Sequence, residues 1–158
     1  MRRRAATLAV IAGLALSFVA GPSASATTDT DATDPQILAV MAEVPGGVLI
    51  DARHAVWPAL DMILEVPSDD SLMTLLSVGG CATGRVCAYA SPSLGGAVLS
   101  WGTCGYHAVP SSFLVRSIAD ARLTGKAQAR SGATVLATAN AGAWANVAGT
   151  ADNILCFF

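Results

Sequence analysis

The sequence predicts a mainly β fold, a Greek-key sandwich preceded by a short N-terminal helix and a hairpin extension. Three observations predict it. From Cys81 onward, short apolar segments alternate with turns rich in Gly, Ser, Pro and Asn, the rhythm of an all-β sandwich. The clearest helical spacing is confined to one stretch, at Ile37, Leu38, Met41 and Val44. There is also a faint self-similarity: segment 86–92 can be laid on segment 135–141, 49 residues later, and each then enters a Gly-containing turn and a second apolar strand.

Taken in order, the chain opens with Arg2, Arg3 and Arg4, then an uncharged, mostly apolar run over 5–20, then Gly21-Pro22 and Ala24-Ser25-Ala26. A positive start, an apolar middle and an A-x-A end form a secretory signal peptide, cut after Ala26 because signal peptidase admits only small side chains. Residues 27–33 are polar and acidic and are expected to be a flexible mature N-terminus. Asp34 can cap a helix, and Pro35 suits its first position, where a missing N–H goes unnoticed. Pro45-Gly46-Gly47 stops that helix. Strands are expected at 48–50, 55–57 and 62–66, the first two closing a hairpin over 51–54. Segment 71–80 is a linker with helical spacing at Leu72, Leu75 and Leu76. Further strands are expected at 86–90, 97–101, 113–118, 127–130, 134–138, 143–147 and 154–157, with 91–96 as a hairpin turn. The organisation is then signal peptide 1–26, tail 27–33, helix, hairpin and linker 34–80, and a β-domain 81–158.

The chain has nine Lys+Arg against eleven Asp+Glu. Loss of the three signal arginines leaves six basic and eleven acidic groups, a formal charge of −5 on the mature chain. Without a basic patch to neutralise phosphates, nucleic-acid binding is disfavoured, as is polybasic attachment to a membrane surface. A second apolar stretch long enough to span a bilayer is missing from the sequence. The composition is rich in small residues and poor in large aromatics, so the core should be thin and helped by cross-links. Four cysteines, Cys81, Cys87, Cys104 and Cys156, in an exported chain read as two disulfides, with three possible connectivities. Their spacing is unlike a zinc site, and His54 and His107 are scattered.

The run Cys81-Ala-Thr-Gly84-Arg-Val-Cys87-Ala-Tyr89-Ala-Ser-Pro-Ser-Leu94-Gly95-Gly96, followed by Cys104-Gly105, resembles the actinobacterial secreted metalloproteinase-inhibitor family. The resemblance implies a βγ-crystallin-like fold over 81–158. In that pattern an aromatic covers a folded hairpin and a glycine permits the turn beneath it. Tyr89 and Gly96 fit; Leu94, beside Gly95, replaces the second aromatic. The second half matches weakly, with Thr138 at the tyrosine's place. Calcium-binding members of the fold follow an acidic or amide pair with hydroxyl residues. Here Asp152-Asn153 is followed at that spacing by Cys156-Phe157, so no high-affinity calcium site is expected. Extending the hairpin register from a turn flanked by residues 91 and 97 puts Cys104 near Cys81. That gives a Cys81–Cys104 disulfide and leaves Cys87–Cys156.

No catalytic constellation is legible. The sequence lacks a Gly-x-Ser-x-Gly elbow and a His-Glu-x-x-His helix, and His54 and His107 read as surface or packing residues. Trp57, Trp101 and Trp144 read as packing residues, and Arg116, Arg122 and Arg130 as solubilising ones. The resemblance implies a secreted proteinase inhibitor that occludes the cleft of an extracellular metalloprotease, with no cofactor or metal, as a monomer. Such an inhibitor needs a rigid loop. Two loops qualify: one at Ser91, Pro92 and Ser93, and one within 106–112 at Val109, Pro110 and Ser111. The alternatives are a cell-envelope interaction module and an antimicrobial toxin-like protein on the same scaffold. N-terminal sequencing of the exported protein is expected to begin at Thr27; a mature chain that still starts at Met1 would overturn the signal-peptide reading.

Overall fold

The structure, a computed structural model, describes residues 32–68 and 78–158. The signal peptide, most of the tail and the helical spacing at Leu72, Leu75 and Leu76 lie outside the described residues. The chain is mainly β, with two antiparallel sheets and one short α-helix.

Helix α1 spans Pro35–Glu43. Asp34 accepts a hydrogen bond from the Gln36 N–H at 2.8 Å, Pro35 occupies the first turn, and the helix stops before Pro45. Its Ile37 and Val40 are buried in the main core. Strands β1 (Val48–Asp51), β2 (His54–Trp57) and β3 (Met62–Glu65) form a meander. A short 3-10 turn, Pro58–Leu60, takes the chain from β2 to β3. β1 is a sheet edge, and its Val48, Leu49 and Ile50 are exposed.

Two four-stranded units follow. The first is β4 (Val86–Ser91), β5 (Gly95–Trp101), β6 (Tyr106–Ala108) and β7 (Ser117–Asp120). The second is β8 (Lys126–Ser131), β9 (Thr134–Asn140), β10 (Ala143–Asn146) and β11 (Asn153–Phe157). The sheet orders are β1-β2-β3-β5-β4-β7-β10 and β6-β11-β8-β9. Each unit therefore gives its third strand, β6 or β10, to the edge of the other unit's sheet. The meander joins the first sheet through β3 and β5, with Met62 opposite Trp101 and Glu65 opposite Val98.

The core between the layers holds Trp57, Leu64, Leu99, Trp101, Phe113, Ile118 and Ile154. Alanines 88, 127, 129 and 139 fill inward positions between these larger side chains. Along β4 the period-2 alternation sends Val86 and Ala88 into this core. Cys87 and Tyr89 face the other way, into a smaller cluster with Cys81, Val98, Ala119 and Ala121.

That alternation corrects the expected disulfides. The bonds are Cys81–Cys87 and Cys104–Cys156, not Cys81–Cys104 and Cys87–Cys156. Cys87 faces the outer cluster while Cys156 faces the main core, so they stand on opposite sides of a sheet. The hairpin register itself was nearly right, with Val86 opposite Trp101. The pairing ends at Trp101, however, and the chain crosses to the second sheet. There Gly105 accepts the Cys156 N–H at 2.9 Å, which puts Cys104 beside Cys156. Cys81 is folded back over β4 by a turn in which Arg85 N–H donates to Ala82 O at 3.1 Å.

Three other expectations shift. The strand expected at 113–118 is Ser117–Asp120; Phe113 and Val115 are buried but precede it, and their alternation imitates a strand. Residues 106–108, expected within a loop, form β6. The self-similarity aligns β4 with β9, whereas the strand that occupies β4's place in the second unit is β8. Ala-rich segments match one another too easily to fix that register.

Arg122 is not a solubilising residue. Asp120 is fully buried, and Arg122 Nε and Nη2 donate to its two carboxylate oxygens at 2.8 and 2.7 Å. The same guanidinium reaches Cys104 Sγ at 2.9 Å and the Phe157 carbonyl at 3.1 Å. Replacing Arg122 by methionine strands a buried carboxylate and is expected to cost about 3–5 kcal/mol. The denaturant midpoint should fall with an unchanged slope, and the double variant Asp120→Leu/Arg122→Met should recover most of the loss.

Candidate functional site

The β4–β5 hairpin ends in a turn at 91–95. Pro92 and Ser93 are exposed at its tip. Ser93 and Leu94 both adopt positive φ, 56° and 65°, a left-handed conformation that side-chain-bearing residues avoid. Three hydrogen bonds hold it. Ser93 N–H donates to Asn146 Oδ1 at 2.8 Å, Leu94 N–H donates to Ser117 Oγ at 3.0 Å, and the Ser117 hydroxyl donates to Ser91 O at 2.8 Å. Beneath the turn, Leu94 packs on Gly79, where a Cβ would collide with its side chain. Tyr89 lies under the same cover and its hydroxyl donates to Gly79 O at 2.9 Å; burial raises its pKa. Gly96, next to Gly95, has φ 71°, and a Cβ there would stand 2.9 Å from Ser91 Oγ. The residues read from sequence, Tyr89, Leu94, Gly95 and Gly96, thus come together with Ser91, Pro92 and Ser93. Their anchors, Ser117 and Asn146, had no sequence signal, being 23 and 53 positions from the groups they hold.

The second loop is a different object. Val109 and Pro110 are buried, and only Ser111 of the three is exposed. The N–H groups of Ser111 and Ser112 donate to the two carboxylate oxygens of Glu43, at 2.5 and 2.9 Å, and lower its pKa. Gln36 Nε2 donates to Ser112 O at 2.9 Å. The loop is therefore strapped to α1 rather than presented. With α1 it encloses a groove of about 280 Å³, floored by Met62, Trp101 and His107 and rimmed by Glu43, Leu60 and Tyr106.

His107 stacks on Trp101, with ring centroids 5.1 Å apart and an angle of 20°. Its Nε2 donates to Thr103 O at 3.0 Å, and burial lowers its pKa despite that bond and the Asp61 charge. Trp57 and Trp101 are core residues, whereas Trp144 is half exposed. Arg130 bonds Ala133 O at 2.7 Å. Both Asp152 oxygens accept the Gly132 N–H, at 2.9 and 3.0 Å, and Asn153 Nδ2 donates to Asp152 Oδ1 at 2.6 Å. Among the described residues, no three His, Cys, Asp or Glu side chains are grouped to hold a metal, and no helix is long and apolar enough to cross a membrane.

No protein-family model, curated protein or solved structure matches the chain.

His54 lies between two carboxylates. Nδ1 is 2.9 and 2.8 Å from the Asp51 oxygens, and Nε2 is 3.5 Å from Glu65 Oε1. Burial pushes its pKa down, but the Asp51 hydrogen bond and the charges of Asp51 and Glu65 outweigh this and raise it. A raised pKa in the folded state means that the stabilisation is complete below the unfolded value of about 6.5. It is lost as pH rises through the folded value. Thermal midpoints should therefore decline as pH rises above about 6.5, and that decline should shrink in Asp51→Asn; an identical pH profile in that variant would refute the assignment.

Proposed function

We propose that this chain is a secreted, disulfide-stapled binding protein with a βγ-crystallin-like, Greek-key build, and that it inhibits an extracellular metalloprotease by lodging the 91–95 turn in the protease cleft. The exchange of third strands between the two sheets supports the architectural part, because it makes each four-stranded unit close on the other's sheet. The disulfides at Cys81–Cys87 and Cys104–Cys156 favour an oxidising compartment.

The turn carries the functional part. Two consecutive non-glycine residues in the left-handed region represent stored strain, which persists only where the surroundings over-determine it. Here they do so with three hydrogen bonds, a packed leucine and a disulfide in the strand below. A protruding segment that is already ordered loses little entropy on binding. That property suits an inhibitor, which must occupy a cleft without chemistry of its own.

The pure, oxidised protein is expected to abolish the activity of a thermolysin-like protease in a linear titration with a stoichiometric end point. Asn146→Ala unties Ser93 and should weaken inhibition by roughly five- to tenfold, the worth of about one hydrogen bond's pre-organisation. No loss of activity across a panel of secreted metalloproteases, even with the inhibitor in large molar excess, would sink the proposal.

A further inference from the structure

The groove lies at the opposite end of β5 from the 91–95 turn, and it contains an unused recognition element. β6 is the outer strand of the four-stranded sheet. Val109 N–H donates to Asp152 O, and Cys156 N–H donates to Gly105 O, both at 2.9 Å. These bonds fix which β6 residues turn their backbone toward β11: those at 105, 107 and 109. In an antiparallel ladder the alternate residues direct N–H and C=O the other way. Tyr106 and Ala108 therefore aim two donors and two acceptors outward at an edge that pairs with no further strand among the described residues, and both are exposed.

That edge is not an open flank. Across from it stands the end of α1, fastened by the bonds of Glu43 to Ser111 and Ser112. Between them is an apolar floor of Met62 and Trp101, with His107 stacked on the indole and Leu60 at the rim. Among the described residues, Glu43 is the one acidic side chain in the lining, and no Lys or Arg accompanies it there. The groove combines backbone edge, apolar seat and fixed negative charge.

We infer that this groove is a second binding site, which takes an extended segment of a partner protein as an added strand on β6, with one bulky apolar side chain over Met62 and Trp101 and a Lys or Arg beside Glu43. Main-chain bonds to an exposed edge supply affinity in such complexes, and the pockets supply choice. A second copy of this chain fits poorly. Its exposed apolar edge, Val48, Leu49 and Ile50, is followed by Asp51, an acid where the groove calls for a base.

The test uses the full exported protein and the acetylated, amidated peptide Thr-Lys-Val-Phe-Val-Lys-Thr, followed by calorimetry and by amide NMR shifts. Saturable binding with shifts centred on 106–110 is expected. Replacing both lysines by glutamate should weaken it at least tenfold. Methylating the peptide nitrogens that face β6 should abolish binding, and methylating the alternate nitrogens should not. Ala108→Pro removes only an outward N–H, which an edge strand tolerates, and should also cost at least tenfold. Asn146→Ala should leave this binding intact while weakening protease inhibition, so the two sites fail separately. Absence of saturable binding, equal binding of the glutamate peptide, or indifference to the methylation pattern would overturn the proposal. So would sedimentation showing dimers that shift the same amides.

Discussion

The buried pair of Asp120 and Arg122 is where the parts of this protein meet. Asp120 ends β7, which lies between β4 and β10, so its backbone is tied to both units. Its carboxylate is removed from water entirely, a burial that is costly without a partner. Arg122 satisfies it with two parallel bonds and uses its remaining reach on the Cys104 sulfur and the last strand's carbonyl. One guanidinium thus links an inner strand of one sheet, the disulfide between units and the last strand of the other sheet. In a core where alanines, whose burial releases little free energy, fill many positions between a few large side chains, such a fixed polar junction sets how the layers meet.

The strands of the meander and of the β4–β5 hairpin were legible because their apolar residues run unbroken between glycine and proline signals. The helix was legible from Asp34-Pro35 and Pro45-Gly46-Gly47. What was hidden depends on the third dimension. Arg122 looks like any turn arginine until Asp120 is seen to be buried. The disulfide pairing depends on which face of β4 carries Cys87, and a single-residue parity decides it. β6 is three residues of mixed polarity with no pattern of its own, held by β11 some fifty residues later. The turn's own residues could be read from Tyr89 to Gly96, but the hydrogen-bond anchors at Ser117 and Asn146 could not, because they lie 23 and 53 positions away with no local pattern tying them to the turn.

The two surfaces share a strand. β5 begins at the strained turn and ends at Trp101, the floor of the groove. Each is stiffened by a different device. The turn is held by side chains from distant strands and lies over the Cys81–Cys87 bond, while the groove is braced by Glu43 across to the segment leaving β6, near Cys104–Cys156. A rigid strand between them lets both face outward without either having to move when the other is occupied.

The exchange of third strands also governs how the chain reaches its native state. Neither four-stranded unit is finished until the other has contributed an edge, so neither half can act as a stable seed. β10 must find β7 across the whole second unit, and β6 must wait for β11, the last strand in the chain. Contacts so remote in sequence close large loops before they yield stability, which slows folding. Closure is therefore late and joint: both sheets are completed in one step, when β10 meets β7 and β11 meets β6.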